Sequence, residues 1–499
     1  MSSIQRPGVY VEETLNPVQS LAGPTSATVA AFVGVADRGP VTPTLVTSWS
    51  NYVSLYGSWN TTASNDLPLA VYLYFANGGN QAVILRVVDS LTASSATRTL
   101  SDRGGTPAAT LIVNAINPGA WGNKLSVKIE DSSTSGKFVL TILYNNVVVE
   151  RHVDLTMTAT DTRYAINVIN QSSQYVSVID ANSASTGSTR NPSVQLVPLA
   201  LASGYDGAAV DGADLVSALT EFDVVDQSLL LNLPGYTDAS TVNGAISYAE
   251  NRGDIFVIVD GSDDTAANQI ALAGSYTASS QAAVYYPRIT IADPTLGAGA
   301  PSNATLLAAP GGAVAGLFVK TDSSRGVFKA PAGLLARLAG AVSVKKLTNT
   351  ELDNLNSSSA PVNAIKFVAG SGIVVMGAKT LNTEYIDKYV PVRRTLIYIR
   401  KSLINMTEYA IFEPNDAALW RRLNATISSF LTQLWSEGGL RGALPSDAFF
   451  VKIDDTNNTQ STIDNGEVHI EVGVALQRPA EFIIIKIGQF DGGNTVTVA

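Results

Sequence analysis

Apolar and polar positions change rhythm several times along the chain. An apolar run from Ala27 to Val35 enters the turn Asp37-Arg38-Gly39-Pro40, and Leu67 to Phe75 repeats apolar positions at helical spacing until Asn77-Gly78-Gly79. The run Ala82 to Val88 follows directly, so the pattern predicts strand, helix and strand in one α/β unit. From about Leu91 to Pro198 the apolar pieces shorten. Leu125 to Glu130, Phe138 to Tyr144, Val147 to Arg151, Ile166 to Ile169 and Tyr175 to Ile179 read as strands. Asn145-Asn146 reads as a hairpin turn, because Asn tolerates positive φ. Ser/Thr-rich borders at Ser90 to Ser101 and Asn182 to Pro192 set this region apart as a mainly β insertion or domain.

After Asp206-Gly207, helical patterns at Gly212 to Thr220, Ser240 to Asn251 and Ala266 to Tyr276 alternate with apolar runs at Ser228 to Leu233, Ile255 to Val259 and Ala282 to Tyr286. Continuous apolar strands spaced by helices predict a parallel sheet covered on both faces. A further helix is expected after Pro310-Gly311-Gly312, whose glycines read as permitting tight packing; no Gly-Lys-Ser or Gly-Lys-Thr follows to make a phosphate loop. Gly78-Gly79 ends a helix and is read as a stop.

The last third holds the strongest helical pattern. Asn415 or Asp416 can cap it, and Leu419, Trp420, Leu423, Ile427, Phe430, Leu431, Leu434 and Trp435 recur on one face until Gly438-Gly439. Such a helix of about 22 residues is about 33 Å long, and its stripe reads as core. Val451 to Asp454, His469 to Leu476 and Phe482 to Ile487 then read as strands. Both chain ends carry strand-capable pieces without a hairpin partner: Pro7-Gly8-Val9-Tyr10-Val11-Glu12-Glu13, ahead of a polar stretch with Pro17, Gly23 and Pro24, and Asn494-Thr495-Val496-Thr497-Val498 after Gly492-Gly493. Strands of this kind can be lent to a neighbour by backbone pairing.

At roughly 150 residues per domain, the 499 residues suggest about three domains. Charged residues reach only 15%, against about 25% in ordinary soluble domains, so Ser, Thr, Asn and Gly must cover much of the surface. The formal charge of −10 argues against a nucleic-acid backbone as the main ligand. The absence of cysteine removes disulfides, thiolate nucleophiles and cysteine metal sites. No apolar run suits a membrane span or a signal peptide, and the expectation is a soluble protein made in the cytoplasm, without membrane insertion.

Catalytic chemistry finds little to work with. His152 and His469 are the two histidines, and no Gly-x-Ser-x-Gly elbow accompanies either. Asp263-Asp264 and Asp454-Asp455 lack the alternating ligand loop of a calcium site and read as turn charges. Asp260 falls where parallel sheets often place ligands, but Asp260-Gly261 also reads as a strand-ending turn. No catalytic residue, cofactor or metal is therefore expected. Arg393-Arg394, Arg400-Lys401 and Arg421-Arg422 concentrate positive charge and read as contacts with acidic surfaces of other subunits or partners.

Motifs spread over essentially the whole chain resemble the contractile tail sheath proteins of bacteriophages and phage-tail-like particles. They are Pro7 to Glu13; Asn117-Pro118-Gly119-Ala120-Trp121-Gly122-Asn123; Tyr285-Tyr286-Pro287; Gly316-Leu317-Phe318 with Thr321-Asp322 and Arg325-Gly326-Val327; and Lys329-Ala330-Pro331-Ala332. Arg393-Arg394, Phe412-Glu413-Pro414-Asn415-Asp416 before Leu419-Trp420, and Arg478-Pro479-Ala480-Glu481-Phe482 complete the series. Met376-Gly377-Ala378-Lys379-Thr380 departs from it where the family pattern leads one to expect Trp-Gly-Ala-Arg-Thr, which puts arginine-specific contacts there in doubt.

The resemblance implies a multidomain α/β and α+β fold: a subtilisin-like α/β portion without a catalytic site, a mainly β outer domain, and an α+β inner domain built largely from the C-terminal third. The expected division is an N-terminal arm at 1–26, an α/β segment joining the core at 27–90, an outer domain at 91–200, the subtilisin-like domain at 201–350, a tube-proximal domain at 351–490 and a C-terminal strand at 491–499. It implies a non-enzymatic sheath subunit that polymerises helically around an inner tail tube and contracts to drive it through a bacterial envelope. The implied partners are further copies of the chain, the tube protein, and a baseplate and tail terminator at the ends, with no direct nucleic-acid contact. The implied location is a virion tail or phage-tail-like particle assembled in the host bacterial cytoplasm. Pro7, Gly8, Val9, Tyr10, Val11 and Glu12 with Asn494, Thr495, Val496, Thr497 and Val498 would be interlocking arms. Arg393, Arg394, Arg421, Arg422 and Arg441 are the candidate tube or subunit contacts, and Phe412, Glu413, Pro414, Asn415, Asp416 and Trp420 form a structural motif. A non-contractile virion or tail protein and an envelope-polymer hydrolase remain the alternatives.

Overall fold

A computed structural model describes residues 28–59, 66–296, 301, 303–384 and 387–481. Both expected arms and the expected strand Phe482 to Ile487 lie outside the described residues. β1 (Val29–Gly34) is buried throughout, as its continuous apolar run requires of a strand covered on both faces. β2 (Thr44–Val46), α1 (Trp49–Tyr56), α2 (Asp66–Ala76) and β3 (Ala82–Arg86) follow, and β3 returns parallel to β1. The Ser48 side chain caps α1 by accepting from the Asn51 N–H.

The next stretch builds two antiparallel sheets around a core of its own. Its elements are β4 (Thr97–Ser101), β5 (Ala109–Ala115), β6 (Leu125–Asp131), β7 (Phe138–Tyr144), β8 (Val147–Leu155), α3 (Ala165–Ser172), β9 (Val176–Asp180) and β10 (Leu199–Ala200). One sheet runs β4-β5-β9 and the other β10-β6-β7-β8, with Leu111, Val113, Trp121, Val127, Leu140 and Ile169 packed in one cluster. Asn145 and Asn146 make the β7–β8 turn at φ 49° and 63°, as their side chains permit. Ile166 to Ile169, expected as a strand, is instead part of α3. A run this short carries no usable period, and in the fold Asn170 of this helix bonds both backbone groups of Val178 on β9. The chain enters and leaves this unit side by side, through the Ser94–Tyr205 and Thr97–Ala202 bridges.

The alternating region then forms α4 (Gly212–Ala218), β11 (Leu229–Asn232), α5 (Ala239–Arg252), β12 (Ile255–Asp260), α6 (Ala266–Ala273) and β13 (Ala282–Tyr286). β14 (Ile289–Ala292), β15 (Thr305–Ala308), α7 (Gly311–Arg325), β16 (Ala341–Val344), α8 (Asn349–Ser357), β17 (Val362–Val368) and β18 (Gly372–Val375) follow. The large sheet has the order β18-β17-β13-β12-β11-β1-β3-β2, parallel from β17 to β3 and antiparallel at both edges. Ala30 and Phe32 pack with α2 and α7 on one face, while Val29, Ala31 and Val33 pack with α5 and α6 on the other. The chain is thus a mixed α/β protein with several sheets.

Two glycines set the distance between α2 and α7. A Cβ at Gly312 would lie 2.1 Å from the Ala70 carbonyl oxygen and 2.5 Å from its Cα, and one at Gly316 would lie 2.4 Å from the Tyr74 carbonyl oxygen. Gly312 therefore serves packing, as the sequence suggested. We expect Gly312→Ala to cost about 3 kcal/mol, the upper end for overpacking, because rigid helix backbone faces the added methyl. Urea unfolding at a fixed protein concentration measures it.

The last unit pairs α9 (Val390–Thr407) with α10 (Ala417–Ser436) and the two-stranded sheet β19 (Phe449–Lys452) and β20 (Glu471–Val474). Asp416 caps α10 by accepting from the Ala418 and Leu419 N–H groups, and Leu423, Ile427, Leu431 and Leu434 are buried beneath it. The first strand has the length of the expected 451–454 run but starts two residues earlier, and the second is shorter than the expected 469–476 run.

Candidate assembly site

Asp260 ends β12 at the carboxyl edge of the parallel sheet, beside the position where strand order reverses between β1 and β11. Its carboxylate is fully enclosed. One oxygen accepts from the Gly311 N–H at 2.6 Å; the other accepts from the Gly235 N–H and the Asn232 amide, each at 3.2 Å. Burial raises its pKa, opposed by the Gly235 N–H, the Asn232 amide and the Gly311 N–H. The group is a cross-link between three loops, and a Cβ at Gly311 would lie 2.4 Å from the Asn232 amide nitrogen. That is more than the strand-ending turn suggested by Asp-Gly, and its oxygens are already engaged.

The histidines are elsewhere. His152 on β8 pairs with Glu150 at 3.2 Å, and His469 pairs with Glu467 at 3.0 Å. Asp264 and Asp454 hold local turns, accepting from Thr265 and Thr456 respectively. Among the described residues no group of three or more His, Asp or Glu side chains could hold a metal ion. No helix among them is long and apolar enough to cross a membrane.

Arg393 and Arg394, expected to face a tube or another subunit, are instead buried within this chain, 4% and 3% exposed. Arg393 donates to the Gln281 side chain at 2.9 Å, and Arg394 makes a two-point pair with Asp322 on α7 at 2.9 and 2.5 Å. The Arg394 guanidinium also lies 4.8 Å from the Phe318 ring centroid. One α9 face continues this pattern two turns later: Arg400 donates to the Gly253 carbonyl at 3.1 Å, and Lys401 pairs with Asp226 and Asp254 at 3.0 Å each. A spacing of seven returns to the same side of a helix, so the four basic residues bolt α9 to the α/β body. The repeat is visible in the sequence, but its acidic and carbonyl partners are more than 70 residues away.

Arg421, Arg422 and Arg441 remain at the surface. Arg421 donates to the Ala417 carbonyl within α10, while Arg422 pairs with Glu413 at 2.9 Å. Arg441 lies beyond the opposite end of α10, a helix about 30 Å long, so the three do not form one patch. Between α9 and α10, Asn415 accepts from the Trp420 indole at 2.8 Å and donates to the Glu467 carbonyl at 2.9 Å, so the Phe412–Asp416 motif is a locked helix connection. Phe412 at its tip is 86% exposed and has φ 66°, a left-handed conformation that is costly for an aromatic residue.

Asn117 to Asn123 marks another junction. Arg86, which sequence reasoning missed, is buried at the end of β3 and donates to the Ala36, Gly39 and Pro118 carbonyls at 3.1, 3.1 and 2.9 Å. Asp206 accepts from the Ala120 N–H at 2.9 Å, so this motif fastens the two antiparallel sheets of residues 97–200 to the large sheet.

Two family models match the chain: the phage tail sheath protein central domain over residues 208–381 and the phage tail sheath C-terminal domain over residues 387–490. Together they take in more than half of its residues. A tail sheath protein of Vibrio phage KVP40 is 27% identical over 182 residues, covering 35% of this chain and 25% of that protein. Among solved structures, the sheath complex of the extracellular contractile injection system PVC in its contracted state aligns over 98% of this chain and 99% of its own, with 23% identity and a TM-score of 0.57. The contracted helical sheath of the anti-feeding prophage aligns over 98% and 100%, with 23% identity and a TM-score of 0.58. The sheath tail protein of Listeria innocua aligns over 87% and 90%, with 15% identity and a TM-score of 0.62. These likenesses extend the shared fold beyond the two matched segments, and the chain belongs to the phage tail sheath protein family.

Proposed function

We propose that this protein is the repeating subunit of a contractile sheath, which polymerises helically around an inner tube and shortens to drive that tube through a bacterial envelope. The observation that carries this reading is the family match over both the central and the C-terminal segments. Its partners would be further copies of itself, the tube protein, and a baseplate and terminator at the ends. It would act in the tail of a virion or a phage-tail-like particle, assembled in the host cytoplasm. The large parallel sheet fits a subtilisin-like portion without protease function, since Asp260 is consumed by structural hydrogen bonds and the two histidines pair elsewhere.

The β19–β20 pair supports the arm reading. Two strands alone are marginal in water, and among the described residues no third strand joins this sheet. Pro7 to Glu12 and Asn494 to Val498 of neighbouring subunits can complete it by backbone pairing. Such joints survive a rigid-body rearrangement if the segments leading to them bend, while side-chain contacts between subunits are exchanged. Contraction would then draw on subunit contacts rather than nucleotide hydrolysis. Arg421, Arg422 and Arg441 are the surface set available for tube or subunit contacts.

Phe412 provides a local test. A rigid, exposed aromatic at a strained position is suited to anchor a partner surface. Phe412→Gly relieves the backbone strain, and we expect monomer stability unchanged or raised by about 1 kcal/mol. The critical concentration for polymerisation should rise about tenfold, which sedimentation reads directly. Unchanged polymerisation would remove Phe412 from the interface.

A further inference from the structure

The two antiparallel sheets of residues 97–200 close on a hydrophobic core drawn from residues 96–201 alone, and neither cluster of the large sheet takes a residue from it. Polar groups hold the junction between this unit and the body. At the pivot the two connecting segments run side by side, and Arg86 donates to the Pro118 carbonyl. Lys124 lies 3.8 Å from Asp37, a half-exposed pair of little weight. Units joined through small polar contacts turn relative to one another unless something further fixes them.

Arg38 is placed to do so. On the body side its backbone N–H donates to the Tyr56 carbonyl at 3.2 Å, and its guanidinium donates to the Val53 and Ser54 carbonyls at 3.4 and 3.0 Å. All three carbonyls belong to the last turn of α1, the end of a helix that favours a cation. On the other side two rings meet the same guanidinium, whose carbon lies 5.2 Å from the Tyr144 centroid and 5.3 Å from that of Tyr175. These distances fall within the roughly 6 Å at which a cation acts on an aromatic ring. Tyr144 closes β7 and Tyr175 immediately precedes β9, so one side chain touches both antiparallel sheets. The two rings stand 6.3 Å apart and pack on the unit's own core, which makes them a preformed seat.

We propose that residues 97–200 form a swinging body, which pivots on the paired connections beside Arg86 and is latched in the observed orientation by Arg38. Withdrawing this one side chain frees the unit to turn while both cores stay folded. The latch is a property of the single chain and does not depend on assembly.

The cysteine-free sequence makes the test clean. Asn167→Cys and Ser247→Cys place spin labels at exposed positions of α3 and α5, and pulsed electron paramagnetic resonance reads the distance between unit and body in the unassembled chain. We expect one narrow distribution in the parent and one about twofold broader in Arg38→Met. Arg38→Lys keeps the charge but not the planar face, and should fall between them. Tyr144→Phe and Tyr175→Phe keep the rings and should stay as narrow as the parent. Circular dichroism should show both cores folded in each variant. Should Arg38→Met fold poorly, Tyr175→Leu removes one ring from the opposite side of the latch and should broaden the distribution as well. Distributions in Arg38→Met and Tyr175→Leu as narrow as the parent's would overturn the latch, and so would a parent distribution as broad as that of Arg38→Met.

Discussion

A chain lacking residues 1–20 should fold to the same core and fail to polymerise. The large sheet takes all eight strands from residues 29–375, and its first strand is fixed between β11 and β3. Removing the first twenty residues therefore subtracts no strand from it. Circular dichroism and the melting temperature should match the full chain. Assembly is another matter, because an arm paired into a neighbour makes every remaining contact intramolecular, and avidity of this kind is worth about 10²- to 10⁴-fold. We expect the critical concentration to rise by at least about 100-fold, leaving monomers where the full chain forms tubes. Orderly tubes at the parental concentration would contradict the N-terminal arm.

Arg394→Ala should destabilise the fold by about 3 kcal/mol. Its guanidinium is 3% exposed, meets both oxygens of Asp322 and lies over Phe318, so the change removes a two-point ionic contact and a stacked cation. Breaking a buried pair by removing one partner costs about 3–5 kcal/mol. Asp322 keeps a side-chain exposure of 20%, so water compensates part of its loss and the lower end, about 3 kcal/mol, is expected. Asp322→Asn should cost less, because the amide oxygen still accepts from Arg394. Hydrogen exchange should show the loss first in α9 and α10, since Arg394 helps bolt α9 to α7. A loss below about 1 kcal/mol, or one spread evenly over the chain, would mean that the bolt is not needed.

The parallel sheet was legible because strands such as Ile255 to Val259 are apolar at every position, and only a strand covered on both faces tolerates that. The α10 helix was legible from its cap and period, ending within one residue of the expected Trp435. β4 was missed because only Leu100 of its five residues is buried, so the run Thr97 to Ser101 shows no apolar alternation. α9 was missed for a related reason. Its inward face carries Arg393, Arg394, Arg400 and Lys401, residues normally assigned to water, and the groups that make their burial acceptable come from α7, Gln281 and the β12 entrance.

The same difficulty explains the assembly site. Charge concentration identified basic residues, but only three-dimensional neighbours separate Arg394, spent on Asp322, from Arg421 and Arg422 at the surface. The motif Asn117 to Asn123 was recognisable, yet its task of receiving Arg86 depends on a residue with no motif of its own. Asp260 likewise reads as a turn until Gly311, 51 residues on, is seen to bond it.

Electron cryomicroscopy of the purified protein assembled with and without an inner tail tube decides between contraction and static assembly. A contractile sheath should give two helical forms of the same subunit, one long and narrow around a tube and one short and wide, with backbone pairing at the chain ends retained in both. A single form that never changes length would contradict contraction and favour a static structural component.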